Sequence, residues 1–319
     1  MKNPLPANPN SPQSPAQVSP HGLLLVDKPE QWTSHDLVDF IRKLFGIREV
    51  GHCGTLDPMA SGLMVMLLGE ATKLSHYVLE ADKSYRLRFR LGLTTDTLDT
   101  TGVTLQVSDV IPELTSIQAA VRELQGPRDL QVPLYSAAKV DGKKLHEYAR
   151  EGQEVSQPRK MMDFFALSQL RQVDSEYEVS LSCSKGSFVR SWIHELGQNL
   201  GCGAAMSGLV RTASHPYSLA EAHSVRSLQE HKTGGTLASL LIPMGQALPE
   251  YPAVRVSGQD EALLRNGQIS HALRSQLLAV FQPGVSRGLK MLSRSSGVLL
   301  ALVQVDPERG FVIRRGFRY

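Results

Sequence analysis

The chain has 319 residues, of which 41% are hydrophobic and 20% are charged, as is usual for a folded protein with a sizeable core. The net charge of +3 permits a nucleic-acid partner without requiring one. No run of about 18 apolar residues occurs, so we expect no membrane-spanning helix. The three cysteines, Cys53, Cys183 and Cys202, lie far apart in sequence, which favours free thiols in a reducing cytoplasm over disulfides or a zinc site.

The N-terminal segment, residues 1–20, contains six prolines and many Asn, Ser and Gln residues. It lacks the apolar core of a signal peptide. It also offers too little apolar surface to offset the entropy of ordering, so we predict a disordered tail. The apolar run Gly22 to Val26 is typical of a buried strand. An amphipathic helix is then expected to begin at Thr33 or Ser34 and to end at Gly46.

A glycine-rich loop, Gly51 to Gly62, precedes a continuous apolar run, Leu63 to Leu68, that predicts a strand buried on both faces. Within the loop, Pro58 restricts Asp57 to an extended backbone. A carboxylate on such a rigid support can act as a nucleophile or a base, but aspartate is also a common turn and helix-capping residue. The residues alone leave both interpretations of Asp57 open.

The stretch around Tyr85 alternates between apolar and basic residues, which predicts a strand with one apolar face and one arginine face. The arginine face is either solvated or lies along phosphates. The alternating residues are Tyr85, Leu87, Phe89 and Leu91 on one face and Arg86, Arg88 and Arg90 on the other.

The remaining signals mix helices and strands without a regular βαβ rhythm, which predicts an α+β fold with a mixed, largely antiparallel sheet flanked by helices. We expect this main domain to span residues 21–250. The stretch Pro243 to Pro252 is typical of a linker, and residues 251–319 suffice only for a small β-rich module. The predicted helices are Glu70 to Leu79, Thr115 to Leu124 and Phe188 to Leu200, and the predicted strands include Val179 to Ser182 and Leu299 to Val305.

Basic and aromatic residues are interleaved between residues 127 and 160, among them Tyr135, Lys139 and Lys143. Such a mixture suits single-stranded or loop RNA, because aromatic rings stack on bases while cations meet phosphates. This stretch therefore predicts an RNA-contacting surface.

The loop Gly51 to Gly62 resembles the active-site motif of the TruB family of tRNA pseudouridine synthases. Other stretches resemble further motifs of that family and occur in the family's order, which chance does not explain. They are Leu24 and Val26 to Pro29 with Thr33 to Asp36; Asp82 to Tyr85; Leu91 and Gly92, Thr95 to Thr97 and Asp99 to Gly102; Gln131 to Ala137, Gly142 to Leu145 and Glu147 to Arg150; Cys183 to Gly186 with Val189 and Arg190; and Leu209 to Arg211.

The resemblance implies that Asp57 is the essential carboxylate, that Tyr85 stacks near the target base, and that Arg190 pairs with Asp57 and keeps it ionised. It also implies a pseudouridine synthase fold with an RNA-contacting insert near residues 127–160 and a PUA-like C-terminal domain over residues 251–319. Substrate-binding roles are implied for His52, Lys28, Lys185, Leu209, Tyr135, Lys139 and Lys143.

The implied activity is isomerisation of the T-loop uridine, position 55 of transfer RNA, to pseudouridine. An isomerisation needs no redox carrier, metal or energy source, so no cofactor and no metal ion is expected. The expected partner is the T arm of transfer RNA. The enzyme is expected to be a cytoplasmic monomer that does not associate with a membrane. Two residues depart from the family pattern: Cys53 stands where threonine is usual, and Phe188 stands where many relatives have tyrosine.

Three alternatives stay open at this stage. An RNA-guided relative would modify ribosomal RNA as a subunit of a ribonucleoprotein. A non-catalytic chaperone would use the same insert to bind and refold transfer RNA. An aspartyl-phosphate phosphatase or ATPase would also use a nucleophilic aspartate, but it would need magnesium and further acidic ligands, for which only Asp96 and Asp99 are candidates.

Overall fold

The computed structural model describes residues 20–319. The tail predicted over residues 1–20 lies outside the described residues except for Pro20. Over the described range the α-helices are α1 (Ser34–Phe45), α2 (Ser75–Leu79), α3 (Leu114–Glu123), α4 (Leu145–Arg150), α5 (Val189–Asn199), α6 (Val225–Thr233), α7 (Gly258–Arg265) and α8 (His271–Val280).

The strands fall into one large sheet, one four-stranded sheet and two small hairpins. They are β1 (Gly22–Lys28), β2 (Val50–His52), β3 (Ser61–Leu68), β4 (Lys83–Leu91), β5 (Leu93–Thr95), β6 (Thr104–Val107), β7 (Gly126–Gln131), β8 (Lys139–Val140), β9 (Lys143–Lys144), β10 (Arg159–Phe165), β11 (Arg171–Val173), β12 (Glu176–Cys183), β13 (Ala204–Ser214), β14 (Tyr217–Ser218), β15 (His223–Ser224), β16 (Ala253–Val256), β17 (Leu289–Ser293), β18 (Leu299–Asp306) and β19 (Gly310–Gly316).

The large sheet has the order β15-β1-β3-β13-β4-β12-β10-β7, with β2, β11 and β14 paired to its members. Only the β1–β15 and β3–β13 pairs are parallel, and the other pairs of this sheet are antiparallel. The predicted class, an α+β fold with a mixed and largely antiparallel sheet, is confirmed. Strand β3 lies inside this sheet and is buried along its length from Gly62 onward, as its continuous apolar sequence predicted.

Two apolar cores lie on opposite faces of the sheet because side chains alternate along each strand. On one face, Met64 and Met66 of β3 share a core with Leu87 of β4 and with helices α1, α3 and α5. On the other face, Leu63 and Val65 pack in a second core. The arginine face of β4 is exposed, and Arg88 there pairs through Nε with Glu178 Oε2 at 3.0 Å.

The C-terminal module contains β16 to β19, α7 and α8, with its own apolar core. It is not separated from the main domain by a free linker. Met244 and Tyr251, from the stretch predicted to be a linker, are buried in the same core as Leu63 of β3 and Leu302 of β18. The linker prediction was therefore wrong, because apolar residues among its prolines and glycines are recruited into a core shared by both units.

One predicted helix differs locally from the structure. The stretch predicted as one helix, Glu70 to Leu79, is a 3-10 helix, Gly69–Leu74, followed by the short α2. Within residues 20–319 no helix is both long enough and apolar enough to cross a membrane.

Helix α1 fixes the loop that carries Asp57. Thr33 is its N-cap: Thr33 Oγ1 accepts from the Asp36 amide at 3.0 Å, and Asp36 Oδ2 accepts from the Thr33 amide at 2.8 Å, which is a capping box. The next residue, Ser34, is buried and binds Leu56 twice. Its hydroxyl donates to the Leu56 carbonyl at 3.0 Å and accepts from the Leu56 amide at 2.9 Å. The start of α1 thus holds Leu56, the residue directly before Asp57, in place.

We predict that Ser34→Ala lowers the free energy of unfolding by about 1–3 kcal/mol, because the buried amide and carbonyl of Leu56 lose the partner that the Ser34 hydroxyl provides. Urea unfolding would measure this loss. Ser116→Ala, on the exposed side of α3, is the matched control and should change stability by less than about 0.5 kcal/mol. Equal effects of the two variants would contradict the proposed role of Ser34.

Candidate active site

Asp57 projects from a loop that is tied down on both sides. The turn is closed by the Ala60 amide, which donates to the Asp57 carbonyl at 3.0 Å, and the Gln31 amide donates to the Pro58 carbonyl at 2.7 Å. At the end of the loop Gly62 has φ of +101°, and a Cβ there would collide with the backbone of Arg211. Glycine is therefore required where β3 enters the sheet beside β13.

The carboxylate of Asp57 forms a two-pronged ion pair with Arg190, which lies in the first turn of α5. Arg190 Nε is 3.0 Å from Asp57 Oδ2, and Arg190 Nη2 is 3.1 Å from Asp57 Oδ1. The side chain of Arg190 is only 7% exposed, whereas that of Asp57 is 33% exposed. The arginine is thus the buried support and the carboxylate is the accessible partner. The pairing predicted for these two residues is present in the structure.

Two further chain segments hold the guanidinium of Arg190. Its Nη1 donates to the Thr97 carbonyl and its Nη2 to the Tyr135 carbonyl, each at 2.9 Å. Asp99 Oδ2 lies 3.8 Å from Nη1. A planar guanidinium with several fixed acceptors has little freedom to rotate, so the orientation of Asp57 is fixed as well.

Burial raises the pKa of the Asp57 carboxyl, the Arg190 guanidinium opposes this rise, and the negative charge of Asp99 adds to it. The balance makes Asp57 more basic than an exposed aspartate while Arg190 supports its ionised form. A carboxylate in this state can act as a nucleophile or as a base.

Asp57 and Arg190 line a cavity of about 260 Å³ between the large sheet and the segment that follows β7. The predicted residues Tyr85 and Leu209 also line it, from the adjacent strands β4 and β13. Phe188, one of the two departures from the family pattern, is part of the wall. Burial raises the pKa of the Tyr85 hydroxyl and nearby Arg211 opposes that rise, so Tyr85 is a neutral hydroxyl at neutral pH.

Lys28 and His52 do not line the cavity. Lys28 is fully buried, and its Nζ donates to the carbonyls of Pro29 at 2.9 Å and Trp32 at 2.6 Å. Burial and the charge of Arg211 lower the pKa of Lys28 to about 8. Lys28 therefore secures the segment before α1. Burial, followed by the charge of Arg211, also lowers the pKa of His52, which keeps its imidazole neutral at neutral pH.

Two of the predicted basic residues, Lys185 and Lys143, are engaged with other side chains. Lys185 is exposed between two residues that line the cavity and forms an ion pair with Glu80. Lys143 is bound to Glu151 and lies 4.5 Å from the centre of the Tyr148 ring.

The stretch that was predicted to contact RNA does contribute to the cavity, but not through the residues that we predicted. Ser136, Ala137 and Ala138 line it. Lys139 is exposed on β8, and Tyr135 places its carbonyl on Arg190 and its hydroxyl on Asp96. None of the stretch's predicted substrate-binding residues lines the cavity itself.

Arg211 is a cavity residue to which the sequence analysis gave no role. It is only 1% exposed, its Nε donates to the Leu63 carbonyl at 2.6 Å, and its Nη2 donates to the Gly54 carbonyl at 3.1 Å. Arg211 thereby joins β13 to the start of the Asp57 loop and brings positive charge beside Tyr85. Arg211 lies in a stretch that resembles a family motif, but the sequence of a strand does not show whether an arginine in it is buried.

Asp99 was a candidate metal ligand, but its contacts indicate a different role. Its Oδ1 accepts from Thr97 Oγ1 at 2.8 Å and from the Thr101 amide at 3.0 Å, while Oδ2 faces Arg190. Among the described residues, no group of three or more His, Cys, Asp or Glu is placed to hold a metal ion. Asp99 thus acts on Asp57 through charge and through the loop that positions Arg190.

Cys53, the other departure from the family pattern, is not among the residues that line the cavity. It is fully buried in the core that joins the two units, on the opposite side of the sheet from α5. Burial raises the pKa of its thiol to about 12, so it is a neutral packing residue. The three cysteines are free and buried, as expected.

We predict that Asp99→Asn lowers the pKa of Asp57. The asparagine keeps an oxygen to accept the Thr101 and Thr97 hydrogen bonds, but it removes the negative charge that disfavours ionised Asp57. Carboxyl-carbon NMR titration of aspartate-labelled protein, assigned with Asp57→Asn, would measure the shift. Asp39→Asn, at a side chain of α1 that is 48% exposed, should leave this pKa unchanged. A rise in the pKa of Asp57 in Asp99→Asn would contradict the electrostatic account.

Comparison with known proteins places this geometry in a family. The sequence profile of the TruB family pseudouridylate synthase N-terminal domain matches residues 42–189, and that of the tRNA pseudouridylate synthase B C-terminal domain matches residues 190–249. A tRNA pseudouridine synthase B of Bdellovibrio bacteriovorus is 50% identical over 301 residues, covering 94% of this chain and 97% of that protein. One of Syntrophobacter fumaroxidans is 39% identical over 255 residues, covering 79% and 83%.

Solved structures share the fold at low sequence identity. An H/ACA ribonucleoprotein bound to a substrate RNA containing 2'-deoxyuridine includes a chain that is 20% identical, with a TM-score of 0.68 and coverage of 94% of this chain and 86% of that one. A chain of a Cbf5-Nop10-Gar1 complex is 21% identical, with a TM-score of 0.67 and coverage of 94% and 84%. The fold similarity agrees with the sequence matches, and the chain belongs to the TruB family of pseudouridylate synthases.

Proposed function

We propose that the protein isomerises the T-loop uridine of transfer RNA to pseudouridine, with Asp57 as the catalytic carboxylate. The observation that carries this proposal is the two-pronged Asp57–Arg190 pair at the wall of a cavity of about 260 Å³. Membership of the TruB family supplies the reaction class, and relatives named tRNA pseudouridine synthase B support transfer RNA as the substrate.

The chemistry fits a site with one accessible carboxylate. The C1′–N1 bond of the uridine breaks, the uracil rotates, and C5 bonds to C1′. The hydrogen leaves C5 and N1 gains one, so atoms and electrons balance without an external reactant. Attack on the base, attack on the sugar and removal of a sugar proton all begin with ionised Asp57, and Arg190 favours that form.

The target bond cannot be reached while the base is stacked in RNA, so the nucleotide must be flipped into the cavity. Flipping costs a few kcal/mol, which contacts in the pocket offset. Tyr85 and Leu209 supply an aromatic ring and an apolar side chain to the cavity that Asp57 also lines. We infer that the uracil packs between these two residues while its ribose faces the carboxylate.

Outside the cavity, the surface is suited to an RNA backbone. Lys139 is exposed and Lys185 lies at the cavity rim. Either cation can exchange a water or a carboxylate for a phosphate, and such contacts release counterions when RNA binds. We infer that these residues hold the T arm, with His52 filling the space that the flipped nucleotide leaves in the RNA and the C-terminal module gripping the acceptor side.

The same reasoning favours a cytoplasmic monomer that needs no cofactor. The proposed reaction needs no co-reactant, and the single chain supplies Asp57, Arg190 and Tyr85 together. Of the alternatives, an RNA-guided subunit is disfavoured because relatives up to 50% identical are named for transfer RNA. A pure chaperone gives no reason for a buried arginine to hold an accessible carboxylate.

The test is pseudouridine mapping in an unmodified transfer RNA transcript incubated with wild type or with Asp57→Asn. Wild type should convert the T-loop uridine without a guide RNA or cofactor, including in excess chelator. Asp57→Asn should bind the transcript within a few-fold of wild type but react at least about 10³-fold more slowly.

Asp109→Asn, an exposed aspartate after β6, is the matched control and should react like wild type. If Asp57→Asn forms pseudouridine as fast as wild type, or if wild type needs a guide RNA or magnesium, the proposed function is wrong.

A further inference from the structure

Tyr135 contacts two parts of the active-site framework at once. Its carbonyl accepts from Arg190 Nη2 at 2.9 Å, and its hydroxyl donates to Asp96 Oδ2 at 3.1 Å. The hydroxyl of a residue that was expected to bind RNA is therefore hydrogen-bonded within the protein. The residues that follow it, Ser136 to Ala138, line the cavity, so the position of Tyr135 determines where that wall stands.

Asp96 is itself fixed. Its Oδ1 accepts from the Val103 amide at 2.7 Å and its amide donates to the Val103 carbonyl at 3.1 Å, which holds it at the end of the β5–β6 hairpin. The adjacent residue, Thr97, gives its carbonyl to Arg190 Nη1 at 2.9 Å. Arg190, Thr97, Asp96 and Tyr135 thus form a closed ring of covalent and hydrogen-bonded connections around the guanidinium.

We propose that the Tyr135–Asp96 hydrogen bond is a latch that holds the insert, residues 127–160, against the Asp57–Arg190 pair and so sets the rate of isomerisation rather than the affinity for RNA. This inference rests on the proposed function. Tyr135 and Asp96 are positioning residues, because they act on Asp57 through Arg190.

The latch matters because Arg190 is buried and must keep its acceptors. An N–H group of a buried guanidinium that loses its acceptor is costly. If Tyr135 shifts, Arg190 turns toward its remaining acceptors and carries Asp57 with it. Other contacts secure the base of the insert: Ser191 Oγ donates to the Gln131 carbonyl at 2.6 Å, and the Val132 amide donates to the Pro158 carbonyl at 2.9 Å. The Tyr135 contacts secure the part beside the cavity.

The Tyr135 hydroxyl is also in the protonation state that its hydrogen bond to Asp96 requires. Burial and the hydrogen bond to Asp96 raise the pKa of the Tyr135 hydroxyl, so it remains a donor across the working pH range. The bond joins a neutral donor to a carboxylate, which is stronger than a bond between neutral groups.

The experiment is a double-mutant cycle of Tyr135→Phe and Asp96→Ala, read as the single-turnover rate of pseudouridine formation at saturating enzyme and as the dissociation constant for the transcript. Each single variant should slow the reaction on the order of tenfold, the scale of one hydrogen bond to a charged group. The dissociation constants should stay within about twofold, and the double variant should be no slower than the slower single variant.

Two further variants separate positioning from general destabilisation. Asp96→Asn keeps an oxygen for the Val103 amide and offers an amide group that can donate to the Tyr135 oxygen, so it should restore most of the rate when Tyr135 is present and none in Tyr135→Phe. Tyr177→Phe, in β12 with its ring stacked on Phe89, removes a tyrosine hydroxyl away from the site and should react like wild type.

Additive rate losses in the cycle, weaker RNA binding at an unchanged rate, or an equal rate loss in Tyr177→Phe would each overturn the latch. These results leave wild-type activity intact and so are distinguishable from failure of the proposed function. A wild type that forms no pseudouridine in the transcript would overturn both.

Discussion

The structure depends on providing hydrogen-bond acceptors for one buried guanidinium, that of Arg190. Arg190 has only 7% of its side chain exposed, and a charge in that position is tolerated only if its N–H groups find fixed acceptors. It finds them in Asp57, in the carbonyl of Thr97 and in the carbonyl of Tyr135. Three segments that are distant in sequence must therefore meet at one helix end, and the exposed face of Asp57 is what that meeting presents to a substrate.

The surroundings of the cavity carry a second electrostatic feature. Burial, followed by the charge of Arg211, lowers the pKa of Lys28, and both cations are held by backbone carbonyls at the contacts described above. These cations stiffen the segments on either side of the Asp57 loop. The charge of Lys28 also opposes the rise in the pKa of Asp57 that burial causes.

Much of the fold was predictable from local signals. The capping residue Thr33, the stop at Gly46, the doubly buried strand β3 and the alternating strand β4 follow from side-chain periodicity and backbone preference, and each was found. The shared core beneath the C-terminal module was not predictable, because Met244 and Tyr251 pack by tertiary contact with residues far along the chain. Composition alone made that stretch look like a linker.

The active site was also predictable only in part. The motif containing Asp57 and the arginine motif containing Arg190 predicted a pair that the structure forms. The actual contacts of Lys28, Tyr135 and Arg211 were not predictable, since only the folded chain decides whether a basic or aromatic side chain faces RNA or a backbone carbonyl. These residues lie in recognised sequence motifs, but the motifs do not reveal that the residues stabilise the structure around Asp57.

The most direct test of the central claim is the pH dependence of the single-turnover rate in wild type and Arg190→Lys. Lysine keeps the positive charge but cannot form the two-pronged pair, so ionised Asp57 loses support. The account predicts a slower reaction whose acid limb lies at higher pH than in wild type, because the pKa of Asp57 rises further. An unchanged rate with an acid limb at the wild-type position would contradict the claim that Arg190 holds Asp57 ready to react.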